Sequence, residues 1–243
     1  MEGKEREAIA KISRGIRGTF LEGELILGGS SGLFGFPTEA PAFTEDLDFL
    51  IREDLVIGRG AEIVDSLSRL GYARTPDTPT FTSPGRPGFD LVGYSARDLT
   101  DHLSPPGALQ VMVFGDLGVI MDMTESVDRD PGRMPALSPA GFCAVKLLTL
   151  RVEKGSKDKL QALLVIAERA KEPAFRDALR RILGRFDPDR RTDALADAQA
   201  AFLAIRGDPG FRDRGAEGYV AFLGKLEEGY AALSGLLSEP EHG

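Results

Sequence analysis

Leu25-Ile26-Leu27-Gly28-Gly29-Ser30-Ser31-Gly32, followed after a proline-containing stretch (Gly35 to Pro41) by Asp46-Leu47-Asp48-Phe49-Leu50-Ile51, is where the architecture of this chain is most legible. Three consecutive apolar residues bounded by glycines read as a short buried strand. The glycines break it sharply, and Gly35 to Pro41 reads as a loop. From Asp46 to Ile51 acids alternate with large apolar residues, the pattern of a strand with one buried face. Successive strand residues face opposite ways, so Asp46 and Asp48 share a face with Cβ atoms about 7 Å apart, while Leu47 and Phe49 enter the other layer.

That pairing has a chemistry. Two carboxylates beside a glycine-rich turn can hold Mg²⁺ that substrate phosphates also bind. Two such ions about 4 Å apart would clamp the attacking and leaving oxygens of an in-line phosphoryl displacement. If a helix begins at the turn, the backbone N–H groups of the turn from Gly28 to Ser31, with the Ser30 hydroxyl, would cradle phosphate oxygens. Each half alone has a plainer reading: Gly-Gly-Ser-Ser as a flexible turn, Asp-x-Asp as a solvated strand face. Their order, each beside an apolar strand, favours a site.

Outward from this stretch, residues 4–22 place Ile9, Ile12 and Ile16 on one helical face. Ala61 to Leu70 is amphipathic through Ile63, Leu67 and Leu70, with Gly71 as its C-cap. A turn-rich section, Thr75 to Gly88, leads to the strand Phe89-Asp90-Leu91-Val92. Leu109 to Phe114 and Val119 to Met123 read as a β-hairpin joined at Gly115-Asp116-Leu117-Gly118. Strand signals stop near residue 127. Beyond Pro135 the pattern is helical, over roughly 138–152, 157–185, 192–206 and 216–237, interrupted at Pro173, Asp187-Pro188 and Asp208-Pro209-Gly210. The expectation is an α/β domain over 1–135 and a helical domain over 136–243.

The 243 residues are ample for a core, and the composition is that of an ordinary globular protein, 42% hydrophobic and 28% charged. No apolar run approaches a membrane span, the N-terminus lacks a signal-peptide core, and the single cysteine, Cys143, suits a reducing compartment, so the cytoplasm is expected. A net charge of −8 argues against non-specific coating of nucleic acid. Cys143 lies between Phe142 and Ala144 and reads as a buried small hydrophobe. His102 and His242 are isolated, and no Cys/His spacing suggests zinc. Neither a nucleophile elbow nor a Gly-Lys-Ser/Thr phosphate loop is present. The run Arg176, Arg180, Arg181, Arg185, Arg190 and Arg191 reads as a solvated helix face with neighbouring acids, or as a phosphate-contacting surface.

Ile26-Leu27-Gly28-Gly29-Ser30-Ser31 with Phe43-Thr44-Glu45-Asp46-Leu47-Asp48-Phe49 resembles the DNA-polymerase-β-like nucleotidyltransferases, most closely the AbiE-type (abortive infection) toxin branch. A second match is Pro135-Ala136-Leu137-Ser138 before Lys146-Leu147, Arg151 and Lys157-Asp158. The resemblance covers about residues 25–165. It departs from the branch at Ala42, where an arginine is usual, at Gln161, where an Asp is usual, and in a longer, proline-rich loop before Asp46.

The resemblance implies an α/β (α+β) nucleotidyltransferase fold with a mixed β-sheet and a C-terminal helical bundle. It implies an enzyme that moves a nucleoside monophosphate from an NTP to an acceptor, with two Mg²⁺ ions. Asp46 and Asp48 would ligate metal. A third carboxylate is implied, Asp90 before Asp122, as base toward the acceptor hydroxyl or as a further ligand. Lys146 would hold the triphosphate and Asp158 would support the site; the plainer alternative has Lys146 snorkelling and Asp158 capping the next helix. The branch implies a tRNA acceptor and an antitoxin partner. Two other readings stay open: a small-molecule acceptor such as an antibiotic, and a degenerate domain that only binds or regulates.

Overall fold

The alternation in Leu47–Arg52 forms strand β2 (Leu47–Arg52), with Leu47, Phe49 and Ile51 buried on one face and Asp48 half-buried on the other. β1 (Ile26–Gly28) runs antiparallel beside it and β5 (Arg86–Tyr94) runs parallel on its other side, so the sheet is mixed. β3 (Ala73–Arg74) and β4 (Thr80–Ser83) extend it beyond the first half of β5. β6 (His102–Leu103) and β7 (Met112–Val113) join at the second half, where Gly93 pairs with Val113. β9 (Ala136–Leu137) runs parallel to β1 and carries β8 (Ser126–Val127) at the edge. The computed structural model describes residues 2–40, 47–95, 100–124, 126–127, 134–148, 155–207 and 216–238.

One face of the sheet is covered by α1 (Glu2–Ile16) and α2 (Glu53–Arg69). Ala8, Ile12 and Ile16 of α1 and Val56, Ile63 and Leu67 of α2 join Leu47, Phe49, Ile51 and Leu91 in a single core. Phe89 is at its centre, with ring centroids 5.1 Å from Phe49 and Phe81 and 5.0 Å from Tyr72. Burying each such ring contributes roughly 1.5–3 kcal/mol. Acidic Glu53 and Asp54 sit in the first turn of α2, where the helix dipole favours them. The helix kinks at Arg59 (φ −136°), between Gly58 and Gly60, and Gly71 just beyond it takes φ +87°.

The hairpin expected from Leu109–Phe114 and Val119–Met123 does not form. Its first half contains β7, and its second half lies in a helix, α3 (Gly115–Met123), which buries Leu117 and Ile120 three residues apart. The residues expected to make the turn, Gly115 to Gly118, are the first turn of that helix. Its Gly115 N–H donates to Asp101 Oδ1 at 3.0 Å. A short apolar run does not by itself separate strand from helix, and the capping carboxylate is remote in sequence.

The chain divides into two units, Met1–Pro37 with Ala42–Ser138 and Thr38–Pro41 with Pro139–Gly243. The division falls after Ser138 rather than Pro135 because Ala136-Leu137 form β9, beyond the point where strand signals fade. The second unit is helical: α4 (Pro139–Leu148), α5 (Gly155–Arg169), α6 (Pro173–Leu183), α7 (Pro188–Gly207) and α8 (Ala216–Ser238). Prolines 139, 173 and 188 each open a helix, where their missing N–H costs nothing, so the expected helix over 157–185 is split into α5 and α6. α5 is central, packed against α4, α7 and α8. The Thr38–Pro41 segment is tied to this unit: Thr38 Oγ1 donates to Glu168 Oε2 at 2.6 Å, the Glu39 N–H donates to Glu168 Oε1 at 2.9 Å, and Lys225 Nζ reaches Glu39 Oε2 at 2.6 Å. Among the described residues, no helix is long and apolar enough to cross a membrane.

Candidate active site

On the sheet face opposite the aromatic core, one row of residues crosses four strands. Gly28 of β1 pairs with Asp48 of β2, Asp48 with Asp90 of β5, and Asp90 with Thr80 of β4. Partners in register on neighbouring strands, about 4.8 Å apart, point to the same face. Asp48 and Asp90 therefore stand side by side, both half-buried. Their sequence neighbours Phe49 and Phe89 go into the core, which fixes which way the acids face. Oδ1 of Asp90 accepts a hydrogen bond from Thr80 Oγ1 at 2.6 Å.

The glycine turn closes on this row. Gly29 opens a 3-10 turn, Gly29–Gly35, with φ +50°. A Cβ on Gly29 would lie 1.7 Å from Asp48 Oδ2, so only glycine leaves that carboxylate its place. Ser31 ties the turn down: its hydroxyl donates to the Gly28 carbonyl at 2.7 Å, and its Oγ accepts from the Asp48 N–H at 3.2 Å. Ser30 is buried within the turn at 6% exposure. Two carboxylates in adjacent positions beside Gly28 and Gly29, which carry no side chain, fit a hard divalent cation, which takes oxygen ligands.

Asp46, expected beside Asp48, lies outside the described residues, as do Ala42, Arg151 and His242. Asp122, the reserve third carboxylate, stands on α3 and is exposed, not on a strand. Lys146 of α4 and Asp158, in the first turn of α5, are both buried and form an ion pair, so the Lys146 ammonium ends inside the second unit instead of snorkelling to the surface. Gln161 is fully buried beside them in sequence. Lys159 is buried too and donates to the Lys146 carbonyl at 3.1 Å and the Leu147 carbonyl at 2.5 Å. Burial pulls its pKa down, against the opposing pull of Asp197 and Asp158. Arg190 adds a bond to the Leu148 carbonyl at 2.6 Å, so the end of α4 is capped by cations.

Cys143 is fully buried, and burial pushes its thiol well up, which leaves it inert as a nucleophile. His102 is not isolated: its Nε2 lies 2.8 Å from Glu53 Oε1 and its Nδ1 2.8 Å from the Thr100 carbonyl. Thr80 and Lys159 are the site and scaffold residues that the sequence did not single out. The alternation in Thr80-Phe81-Thr82 was the one local signal for the first, hidden within a section read as turns. No family model matches this chain, and no characterised protein matches it significantly.

Proposed function

We propose that this chain is a Mg²⁺-dependent nucleotidyltransferase with the fold of that superfamily, moving a nucleoside monophosphate from an NTP to an acceptor and releasing pyrophosphate. One observation carries the reading: Asp48 and Asp90 are register partners on parallel strands, with Gly28 next in the row and Gly29 against the Asp48 carboxylate. Asp48 and Asp90 would hold the metal, with Asp46 two positions before Asp48. When bound, Mg²⁺ supplies positive charge to the phosphate oxygens and to the attacking oxygen.

The chain's own groups do the rest. Gly28, Gly29 and Ser30 let the triphosphate approach the backbone. The acceptor hydroxyl attacks the α-phosphorus: its oxygen forms the new P–O bond, the bond to the bridging oxygen of pyrophosphate breaks, and the proton passes to Oδ2 of Asp90. With its ammonium on Asp158, Lys146 is assigned to holding α4 on α5. For the acceptor, the motif resemblance favours tRNA, in the setting of a toxin restrained by an antitoxin.

The test is label transfer from each α-labelled NTP, with Mg²⁺, in a lysate holding RNA, protein and small metabolites. Asp48→Asn and Asp90→Asn should each lower transfer by about 10²–10⁴-fold while keeping the fold. Full turnover in both variants would overturn the assignment. Label on RNA supports the toxin setting, and label on a metabolite replaces it with a small-molecule acceptor. Binding of Mg-NTP without transfer to any fraction would make the chain a binding module.

A further inference from the structure

The row of residues across the sheet ends on a side chain that the proposed chemistry has not yet used. Thr80 pairs in register with Asp90 on the antiparallel β4–β5 ladder, and its hydroxyl donates to Asp90 Oδ1 at 2.6 Å, the length of a bond to a charged acceptor. We propose that Thr80 is a positioning residue for the metal site: it fixes the Asp90 carboxylate so that Oδ2 alone is offered to the cation and acceptor. This rests on the nucleotidyltransferase reading of Asp48 and Asp90.

The support lies in how firmly Thr80 itself is held. Its carbonyl accepts from the Thr75 N–H at 2.8 Å, and its N–H donates to Thr78 Oγ1 at 3.2 Å. Thr78 Oγ1 in turn donates to the Thr75 carbonyl at 3.2 Å, and Arg74 Nε donates to the Thr78 carbonyl at 3.0 Å. The turn between β3 and β4 is thus bonded throughout around the base of Thr80. On the opposite face the next residue, Phe81, stacks on Phe89, which precedes Asp90, so the β4–β5 register is locked from the core side. A β-branched side chain adds stiffness at χ1. A carboxylate left alone turns broadly about χ2, and one hydrogen bond from a fixed donor removes that freedom. Hydrogen bonds of this kind to metal ligands typically change metal affinity 10–100-fold.

The experiment uses Mn²⁺ as the probe, titrated into the full chain and followed by EPR, for wild type, Thr80→Val, Thr80→Ser and Asp48→Asn. Thr80→Val keeps the branched shape without the hydroxyl and should weaken Mn²⁺ binding about tenfold. Thr80→Ser should restore it, and the melting temperatures of the two Thr80 variants should match. A purely structural role would move melting and leave affinity alone. Where transfer is measurable, Thr80→Val should lower kcat more than it raises KM for NTP. If Thr80→Val binds Mn²⁺ as wild type does, or Thr80→Ser fails to restore binding, the assignment of Thr80 is overturned. The other outcomes separate it from the reading beneath: loss of Mn²⁺ in Asp48→Asn with retention in Thr80→Val removes only Thr80. Equal binding in Asp48→Asn and wild type, or no binding by wild type, removes the metal site and Thr80 with it.

Discussion

At Gly29 the backbone takes φ +50°, and a Cβ would lie 1.7 Å from Asp48 Oδ2 and 3.0 Å from its Cβ. Alanine there is strained twice, by conformation and by collision with the carboxylate. Gly29→Ala should lower unfolding stability by about 1–3 kcal/mol, measured by urea titration, and should weaken Mn²⁺ binding by displacing Asp48. Gly28→Ala is the contrast, because Gly28 has an ordinary φ of −118° and its Cβ would crowd the buried Leu50 side chain, at 2.7 Å from Cδ2 and 2.8 Å from Cγ, and not Asp48. It should cost less and leave metal affinity closer to wild type. Equal behaviour of the two variants would show that Gly29 is not fitted to Asp48. The positions of Asp48 and Asp90 were legible because alternation with apolar residues dictates which face an acid takes. The partner of the Thr80 hydroxyl was not, because it follows from the register between two strands, which no local pattern encodes.

Between α5 and α8 the approach is close enough that a Cβ on Gly229 would sit 2.1 Å from the Leu163 carbonyl oxygen. Backbone cannot give way as a side-chain tip can, so Gly229→Ala must push the helices apart and should destabilise by about 1–3 kcal/mol. Gly235, also on α8, faces open space, and Gly235→Ala should stabilise by roughly 0.5–1 kcal/mol through helix propensity alone. Thermal unfolding of the two variants reads both signs, and a neutral Gly229→Ala would refute the close packing. Among the elements, α1 and the second half of α2 were visible in the sequence because each buries one periodic face, and β2 and β5 because large apolar residues flank a single acid on both sides. α3 was misread because its nine residues are apolar almost throughout and its cap, Asp101, belongs to another segment. β9 escaped because two residues after a proline carry no period; parallel pairing with β1 creates the strand.

Taken as a whole, the molecule has a pH dependence that one half-buried phenol sharpens. Tyr94, last in β5 and paired in register with Arg52, has its pKa raised from 10.0 to about 12, chiefly by burial and then by Glu24. A raised folded pKa means that the folded state holds the proton more tightly. Its stabilising share is therefore complete below pH 10 and is lost as pH rises to about 12. Unfolding free energy should fall across that window, and Tyr94→Phe should fall less steeply; identical slopes would refute the shift. The interleaving of the two units also has a consequence for synthesis. Thr38 and Glu39 leave the ribosome early, yet the carboxylate and ammonium that anchor them belong to Glu168 and Lys225, the latter 186 residues after Glu39. At about 5–20 residues per second, the bond to Lys225 stays unmade for about 10–40 s on every nascent chain. Thr38 and Glu39 gain Glu168 once α5 is made and Lys225 only with α8, so a chain terminated before α8 keeps the first two bonds and lacks the third.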